Sequence, residues 1–298
     1  MKLKKYNVLA VGEVLFDVIG DEYKLGGAPF NVAAHMSVLG NSSSILSAVG
    51  QDALGDQIIR EAEQLRVNTD WIDRNHEKST GTVKVSFREN EPQYDIVEDV
   101  AWDYLRVDFG ELNEQDWDVV AFGSLAQRSA HNKAFYGSLF DQLQAKWKYF
   151  DCNLRQNYYD SQVIKDSLLY ANIAKFNEHE IGLVSELLYD QSLAPRVFAE
   201  KLHQDFEIEL VVYTWGKEGS RAWYQDRFYS KESIPVDTVD TIGAGDAFSA
   251  GFLQSWLRGK EVEEALQDGN RLGGYVASRS GAIPEYDGEI RSYFADQV

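Results

Sequence analysis

Short apolar runs of strand length alternate with longer amphipathic segments along most of the chain. The runs are YNVLAVG, SSILSAVG, DVVAFGS, KYFDCN, ANIAKFN and ELVVYT, and a helix-patterned stretch follows each of them. In one such stretch, Ile58, Ile59, Ala62 and Leu65 form an apolar stripe at helical spacing. This alternation is typical of βαβ units, whose parallel strands are covered by helices. The sequence therefore predicts an α/β fold with a mostly parallel sheet and helices on both faces.

Residues 80–106 depart from this rhythm. Val83, Val85 and Phe87 alternate with polar residues, and a turn-like ENEP leads to a second short run. The pattern predicts antiparallel strands that project from the main sheet. Because we find no repeat, low-complexity tract or linker, we expect one domain, residues 1–298, to which residues 80–106 contribute a β lid. The apolar face of the lid needs either the body of the chain or a second lid, so a homodimer through the lid is one expectation.

Charge and cysteine content narrow the class of partner. The 298 residues include 29 basic and 48 acidic side chains, a net charge of −19. A field of this sign repels nucleic-acid backbones and anionic membranes, so we expect neither as a partner. Glu13 and Asp17 interrupt the N-terminal apolar run, and no stretch reaches membrane-spanning length. The single cysteine, Cys152, cannot form an internal disulfide, which is typical of a reducing compartment. We therefore expect a cytoplasmic protein.

The stretch DTVDTIGAGDAFSAGFL, residues 237–253, places two glycines and an acid before an apolar run with helical pattern. Gly243 and Gly245 can adopt positive φ, and the amides that open a helix bind anions. The stretch has neither the spacing of a Walker loop nor the third glycine of a dinucleotide fingerprint. A carboxylate here, Asp246, would repel a phosphate unless it takes a proton from an attacking hydroxyl. The alternative is that Asp246 only caps the helix.

This stretch resembles the C-terminal signature of the ribokinase-like (PfkB) carbohydrate kinases. In that family the aspartate is the catalytic base and the glycine turn is an anion hole. The resemblance therefore implies that Asp246 is the base and that Gly243, Ala244 and Gly245 form the anion hole.

A second stretch, GGAPFNVAAHMSVLG, is similar to the family's N-terminal signature, in which two glycines and an asparagine line the sugar pocket. These residues are Gly26, Gly27 and Asn31. Glycines let a sugar lie against the backbone, and an asparagine can both donate to and accept from hydroxyl groups. The two signatures lie near opposite ends of the chain, and the resemblance covers essentially all of it.

Two further residues, Asp17 and Arg155, match substrate-side positions of the family, and Asp103 is assigned to the substrate from its place in the lid. Asp17, which we expect to end the first strand, matches a sugar-binding aspartate, and Asp103 is expected to reach the substrate from the lid. Arg155 follows a strand end in the arrangement D-x-N-x-R, where a guanidinium binds sugar oxygens, a substrate carboxylate or the transferred phosphoryl group. A purely structural ion pair is the alternative for Arg155.

The nucleotide side is implied by other matches. FNEHE supplies Asn177 and Glu180 at the spacing of the family motif N-x-x-E, which organises the water shell of Mg²⁺ and the phosphates of ATP. Oxygen ligands that act through water suit Mg²⁺, because it keeps part of its hydration shell. Thr214 and Gly216 match the strand and turn that reach the ATP phosphates, and Asn270 matches a position near the adenine.

A loop around Asp240 and Ile242, beside the stretch ASRSGAIPEY that contains Gly281, resembles the family's K⁺ site. A cation there would order the anion-binding turn without touching the substrate. The alternative is an ordinary loop packed beside a helix.

The motifs are most similar to those of bacterial fructokinases. The resemblance implies transfer of the γ-phosphoryl group of ATP to a primary hydroxyl of a small sugar, with fructose, converted to fructose 6-phosphate, as the expected substrate. A kinase for 2-keto-3-deoxygluconate or another sugar acid is the second candidate, because Arg155 suits a carboxylate. A sensor without turnover is a third, although it would have no use for a base beside an anion hole.

Overall fold

The computed structural model describes residues 4–88 and 91–295, and it describes only the backbone of residues 85–88 and 91–94. In this part of the chain, no helix combines the length and the hydrophobicity that crossing a bilayer requires. The strands are β1 (Asn7–Val11), β2 (Leu15–Ile19), β3 (Glu22–Gly26), β4 (Ser42–Gly50), β5 (Ile72–Asn75), β6 (Thr82–Arg88), β7 (Glu91–Ile96), β8 (Trp117–Gly123), β9 (Ala145–Asp151), β10 (Ile173–Asn177), β11 (Leu210–Thr214), β12 (Ser220–Tyr224) and β13 (Arg227–Lys231). The helices are α1 (Ala28–Val38), α2 (Ala53–Gln64), α3 (Phe109–Asn113), α4 (Ala130–Gln142), α5 (Ser161–Tyr170), α6 (Glu178–Tyr189), α7 (Pro195–Phe206), α8 (Ala244–Leu257), α9 (Val262–Ala277) and α10 (Gly288–Ala295).

The large sheet of the described chain has nine strands in the order β13-β12-β11-β10-β9-β8-β1-β4-β5. The pairs from β11 to β5 in this order are parallel, and β12 and β13 are added antiparallel at one edge. Parallel strands place their carboxyl ends at one edge of the sheet, which is where ligands bind in open α/β folds. The loops after β8, β9, β10 and β11 therefore meet along that edge.

Strand β1 shows why helices are needed on both faces. Val8, Leu9, Ala10 and Val11 are all fully buried, although successive side chains point to opposite faces. Leu9 and Val11 pack with residues of α4 to α7, whereas Val8 and Ala10 pack with residues of α1, α2, α8, α9 and α10. Each such side chain contributes about 1.5–3 kcal/mol by leaving water. The predicted mostly parallel sheet with helices on both faces is confirmed.

A second, smaller sheet has the order β3-β2-β6-β7 in the described residues. The sequence predicted the antiparallel pair β6 and β7, but not that β2 and β3 belong with them. Asp17 was expected to end the first strand, and this prediction is wrong: it lies in the middle of β2, opposite Lys24 and Val83. The cause is Gly12, whose φ of 146° ends β1 before the chain enters the second sheet. The expected apolar lid face is tested only at Val83, which is buried, because the side chains of Val85 and Phe87 lie outside the described residues.

The C-terminal part of the expected lid belongs to the core instead. Trp102 and Asp103 lie in a buried 3-10 turn, Ala101–Asp103. Both carboxylate oxygens of Asp103 accept from the guanidinium of Arg128, at 2.7 and 2.8 Å, and the Arg128 guanidinium stacks 3.9 Å from the Trp102 ring. The prediction that Asp103 reaches the substrate from the lid therefore does not hold, since its carboxylate is committed to a buried ion pair.

This arrangement predicts a stability effect at Asp103. The substitution Asp103→Asn leaves the Arg128 guanidinium buried without its counterion, which costs about 3–5 kcal/mol of unfolding free energy. Urea denaturation measures this loss, and the double variant D103N/R128M should recover part of it. A normal unfolding midpoint with a raised KM for sugar would instead return Asp103 to the substrate site.

Candidate active site

Two helices of the structure, α1 and α8, begin at glycines in conformations that favour glycine. Gly27 has φ 111° and Gly243 has φ 74°, and neither helix has a side-chain cap. A Cβ at Gly27 would lie 2.4 Å from the carbonyl oxygen of Glu13, and a Cβ at Gly243 would lie 2.6 Å from the Cβ of Ala282. The first amides of α8 are therefore free of a side-chain cap, whereas the Ala28 amide of α1 donates to the Glu13 carboxylate and Asp or Ser side chains cap helices such as α2 and α4.

A hydrogen bond joins these two helices. The Nδ2 group of Asn31, in the first turn of α1, donates to Oδ2 of Asp246, in the first turn of α8, at 2.7 Å. Asn31 is 5% exposed, and its Oδ1 atom has no donor among the described residues. A buried acceptor without a partner costs free energy unless a ligand supplies a donor. Asn31 is therefore placed to accept a hydrogen bond from a hydroxyl beside Asp246.

The glycine turn offers an anion-binding end. In the described structure, the amides of Gly245 and Asp246 have no acceptor, whereas the amide of Ala244 donates to the carbonyl of Thr241 at 3.2 Å. Unpaired amides in the first turn of a helix favour negative charge. The structure thus brings Gly243, Ala244, Gly245 and Asp246 together as one turn, with Gly245 and Asp246 supplying its free donors.

Asp246 has the electrostatics of a general base. Burial and the charge of Asp151 raise its pKa to about 6, against the hydrogen bond from Asn31 and the charges of Lys175 and Arg155. A base with a pKa near the operating pH is partly ionised and still accepts a proton readily. A carboxylate that served only as a helix cap would accept a backbone amide, and Asp246 makes no such bond to an amide of the described chain.

The proposed sugar-binding residues converge on the same side of this turn. Asp17 faces Gly26, because a Cβ at Gly26 would lie 2.9 Å from Oδ2 of Asp17. Burial raises the pKa of Asp17 to about 6, and the charges of Arg155 and Lys24 oppose this shift. Arg155 also opposes the raised pKa of Asp246, so the guanidinium lies near both carboxylates. It is exposed and hydrogen-bonds the Leu154 carbonyl at 3.3 Å, and it forms no ion pair with a described residue.

Three ionisable residues of the site were not predicted from the sequence. Glu13 is 3% exposed and accepts from the Ala28 amide at 3.3 Å, and burial raises its pKa to about 7. Lys175 donates to both oxygens of Asp151, at 2.9 and 2.8 Å. Glu13, Asp151 and Lys175 all stand within apolar, strand-forming runs of the sequence. An ionisable residue in such a run is the signal that would have found them, because a buried charge needs a partner.

Asn177 and Glu180 form a reciprocal cap at the start of α6. The Asn177 side chain accepts from the amide of Glu180, and Glu180 accepts from the amide of Asn177 at 2.8 Å. The other Glu180 oxygen accepts from the Leu154 amide at 2.8 Å, which ties the loop before Arg155 to α6. Burial raises the pKa of Glu180, which is 3% exposed. Each carboxylate oxygen of Glu180 already accepts a hydrogen bond from a backbone amide, so a water molecule or ligand would have to bind to a remaining lone pair.

The other predicted nucleotide residues lie along the edge where β11 ends. Thr214 is the last residue of β11, and Gly216, with φ 46°, follows in a 3-10 turn. Asn270, on α9, is 8% exposed and donates to the carbonyls of Lys231 and Glu232, both at 3.2 Å. The Asn270 side chain therefore anchors the end of β13 to α9.

The three residues of the expected K⁺ site lie together. One carboxylate oxygen of Asp240 accepts from the Ile242 amide at 3.0 Å, and the other accepts from the Gly281 amide at 3.1 Å. Ala282, the next residue, contacts Gly243. The loop that begins at Asp240 thus supports the glycine turn from behind.

Comparison with known proteins identifies the family. The model for pfkB family carbohydrate kinases matches residues 5–287. The chain belongs to the pfkB family of carbohydrate kinases. The predicted family is thereby confirmed, and the match spans both glycine signatures.

Three relatives illustrate the range of this family. A putative sugar kinase of Pyrococcus horikoshii is 29% identical, over 86% of this chain and 84% of the relative. Its structure in complex with ATP has a TM-score of 0.79 at 26% identity, over 93% of this chain and 94% of that one. A fructokinase of Vibrio alginolyticus and a 2-dehydro-3-deoxygluconokinase of Haemophilus influenzae are each 27% identical, over 93% and 92% of this chain and 94% of each relative. The chain is therefore a sugar kinase by family, and its sugar is left open between these classes.

The left-handed glycine turn yields a prediction with an internal control. Gly243→Ala would force a Cβ to 2.6 and 2.7 Å from atoms of Ala282, and the turn should shift and lose activity. Gly259 has nearly the same φ, 76°, but an added Cβ there meets nothing within 4 Å. Gly259→Ala should therefore cost only about 1–2 kcal/mol of stability. Steady-state kinetics and thermal unfolding of both variants separate the effects, and equal activity in both would contradict an essential turn.

Proposed function

We propose that the protein transfers the γ-phosphoryl group of ATP to a primary hydroxyl of a small sugar, with O6 of fructose as the preferred acceptor. The observation that carries this proposal is the 2.7 Å hydrogen bond between Asn31 and Asp246. It places an acceptor for a sugar hydroxyl, a base and the free amides of one glycine turn within a single site. Transfer between a hydroxyl and an anionic phosphoryl group needs these three elements together.

In the proposed reaction, Asp246 takes the proton of the attacking hydroxyl while the amides of Gly245 and Asp246 stabilise the charge that develops on the phosphoryl group. Asn31 and Asp17 hold the sugar through its other hydroxyls, and Gly26 and Gly27 let it approach the backbone. Asn31 also orients Asp246, because its Nδ2 group fixes one carboxylate oxygen.

ATP and Mg²⁺ are the proposed cosubstrate and cofactor. Thr214 and Gly216 would contact the phosphates and Asn270 would border the adenine. Asn177 and Glu180 would order water molecules of the metal's hydration shell. The buried Glu180 carboxylate fits such a role through water, because both of its oxygens already accept amides. When bound, Mg²⁺ would neutralise phosphate charge.

The charge of the pocket favours a neutral sugar over a sugar acid. Glu13 and Asp246 interact with each other, and Arg155 interacts with Glu13, Asp17 and Asp246. Carboxylates accept hydrogen bonds from sugar hydroxyls, but they repel a substrate carboxylate. A 2-keto-3-deoxygluconate kinase is the second candidate, supported by the unpaired guanidinium of Arg155 and by the relative from Haemophilus influenzae.

Three further features complete the proposal. A K⁺ ion at Asp240, Ile242 and Gly281 would fix the loop behind Gly243 and raise the rate without touching the substrate. The sheet of β2, β3, β6 and β7 would act as a lid, or as a contact between two copies, that keeps water from the phosphoryl group. We place the reaction in the cytoplasm, which suits the lone buried thiol of Cys152.

Replacement of the base tests the reaction. Asp246→Asn keeps the shape of the side chain but removes its basicity, so kcat should fall by about 100-fold or more with little change in sugar affinity. In the native protein, kcat/KM should fall as pH drops through about 6, because Asp246 becomes protonated. The exposed Asp237→Asn, from the same stretch, is the control and should be unaffected. Turnover in D246N close to that of the native protein would rule out the assignment.

A substrate panel tests the choice of sugar. ADP release from ATP is measured with fructose, other hexoses, ribose and 2-keto-3-deoxygluconate, in K⁺ and in tetramethylammonium buffers. We expect the highest kcat/KM with fructose and a faster rate in K⁺. Activity on the sugar acid alone, lost in Arg155→Gln, would favour the second candidate. Sugar binding without ADP release under any condition would favour a sensor.

A further inference from the structure

A buried ion pair lies directly beneath the glycine turn of the active site. Lys175, the third residue of β10, donates to both oxygens of Asp151, the last residue of β9. Their side chains are 7% and 11% exposed. A Cβ added at Gly245 would lie 3.8 Å from Nζ of Lys175, which is an ordinary contact distance. The ammonium group therefore lies against the underside of the anion-binding turn.

Hydrogen bonds connect the pair to the first turn of α8. The hydroxyl of Ser249 lies 3.1 Å from Oδ2 of Asp151 and 3.0 Å from the carbonyl oxygen of Gly245. The Tyr149 hydroxyl donates to Ser249 at 2.9 Å, and both residues are fully buried. Ser249 has one hydroxyl proton for these two acceptors, so its side chain lies between the ion pair and the backbone immediately before Asp246 and donates to one of them at a time.

Stability alone is a weak reason for a lysine at this position. Its strand neighbours Ile173, Ala174 and Phe176 are fully buried and apolar. Buried ion pairs lose much of their Coulomb energy to desolvation, and apolar residues of similar size often replace them without loss of stability. The place of Lys175 under the catalytic turn suggests a functional reason.

We propose that the Lys175–Asp151 pair is a positioning element of the phosphoryl-transfer site, which fixes the turn at Gly245 through Ser249 and balances the charge around Asp246. This inference rests on the proposed function, with Asp246 as the base. Lys175 and Asp151 act through the turn, and neither is assigned to the sugar or the nucleotide.

The charges around Asp246 make the effect measurable. The Asp151 carboxylate raises the pKa of Asp246, whereas the charges of Lys175 and Arg155 lower it. Glu13 and Tyr149 also interact with Asp246, and Glu180 interacts with the ion pair. Burial disfavours the charged form of Lys175, but the carboxylates of Asp151 and Glu180 outweigh it and raise its pKa. Lys175 is therefore cationic over the working pH range, and removal of Asp151 leaves that cation uncompensated.

The test is the pH profile of kcat/KM with ATP and the preferred sugar of the panel. Asp151→Asn removes the anion and leaves the cation, so the pKa of Asp246 should fall and the acid limb should move to lower pH. If the pKa of Asp246 falls by half a unit, then kcat/KM at pH values well below that pKa, taken as a fraction of its plateau value, rises about threefold. The double variant D151N/K175M has a neutral pair again, and its acid limb should return toward that of the native protein.

Ser249→Ala separates position from charge. It breaks the link to Gly245 without a change of charge, so kcat should fall while the acid limb stays in place. A folded, active D151N variant with the native acid limb would overturn the proposal. If D151N does not fold, the S249A variant provides the test, and an unchanged kcat in S249A would overturn the proposal. Failure of the proposed function is distinguishable, because the native protein would then release no ADP with any sugar.

Discussion

The candidate active site depends on the first turns of two helices, which are joined by one side-chain hydrogen bond. Gly27 and Gly243 open α1 and α8 in conformations that favour glycine, and the bond from Asn31 to Asp246 joins the first turns of these helices. Both helices pack on the same face of the large sheet. The sheet thus brings the turns that we propose to bind sugar and phosphate, which come from opposite ends of the chain, to one place, with the proposed base Asp246 in the second turn.

Burial gives the site its chemical character. It raises the pKa values of Glu13, Asp17 and Asp246 to about 7, 6 and 6, and nearby cations keep these shifts from growing further. Carboxylates in this range accept hydrogen bonds from hydroxyls and exchange protons near neutral pH. Under the proposed function, this cluster would disfavour an anionic sugar, because Arg155 is the one cation that interacts with all three of these acidic groups of the described chain. This charge is the reason that we propose fructose ahead of 2-keto-3-deoxygluconate as the substrate.

The sequence predicted the features that depend on local pattern. Alternating apolar runs indicated the parallel sheet, and two glycine motifs indicated the turns at Gly27 and Gly243. It did not predict that β2 and β3 join the second sheet. The apolar run that continues to Asp17 looks like one strand unless the bend at Gly12 is known. Asp103 was assigned to a lid because it follows the predicted strands within residues 80–106, and the sequence does not mark where the lid ends and the buried turn begins. The pair of Lys175 and Asp151 was missed because their contact joins two strands, and its local sign is only an ionisable residue within each apolar run.

The most direct test of this account is a crystal structure with fructose and a non-hydrolysable ATP analogue. The account predicts O6 of the sugar at about 2.6–3.2 Å from a carboxylate oxygen of Asp246. It also predicts another sugar hydroxyl on Oδ1 of Asn31, and the terminal phosphate on the amides of Gly245 and Asp246. A sugar bound away from Asn31, or a terminal phosphate away from the glycine turn, would contradict it.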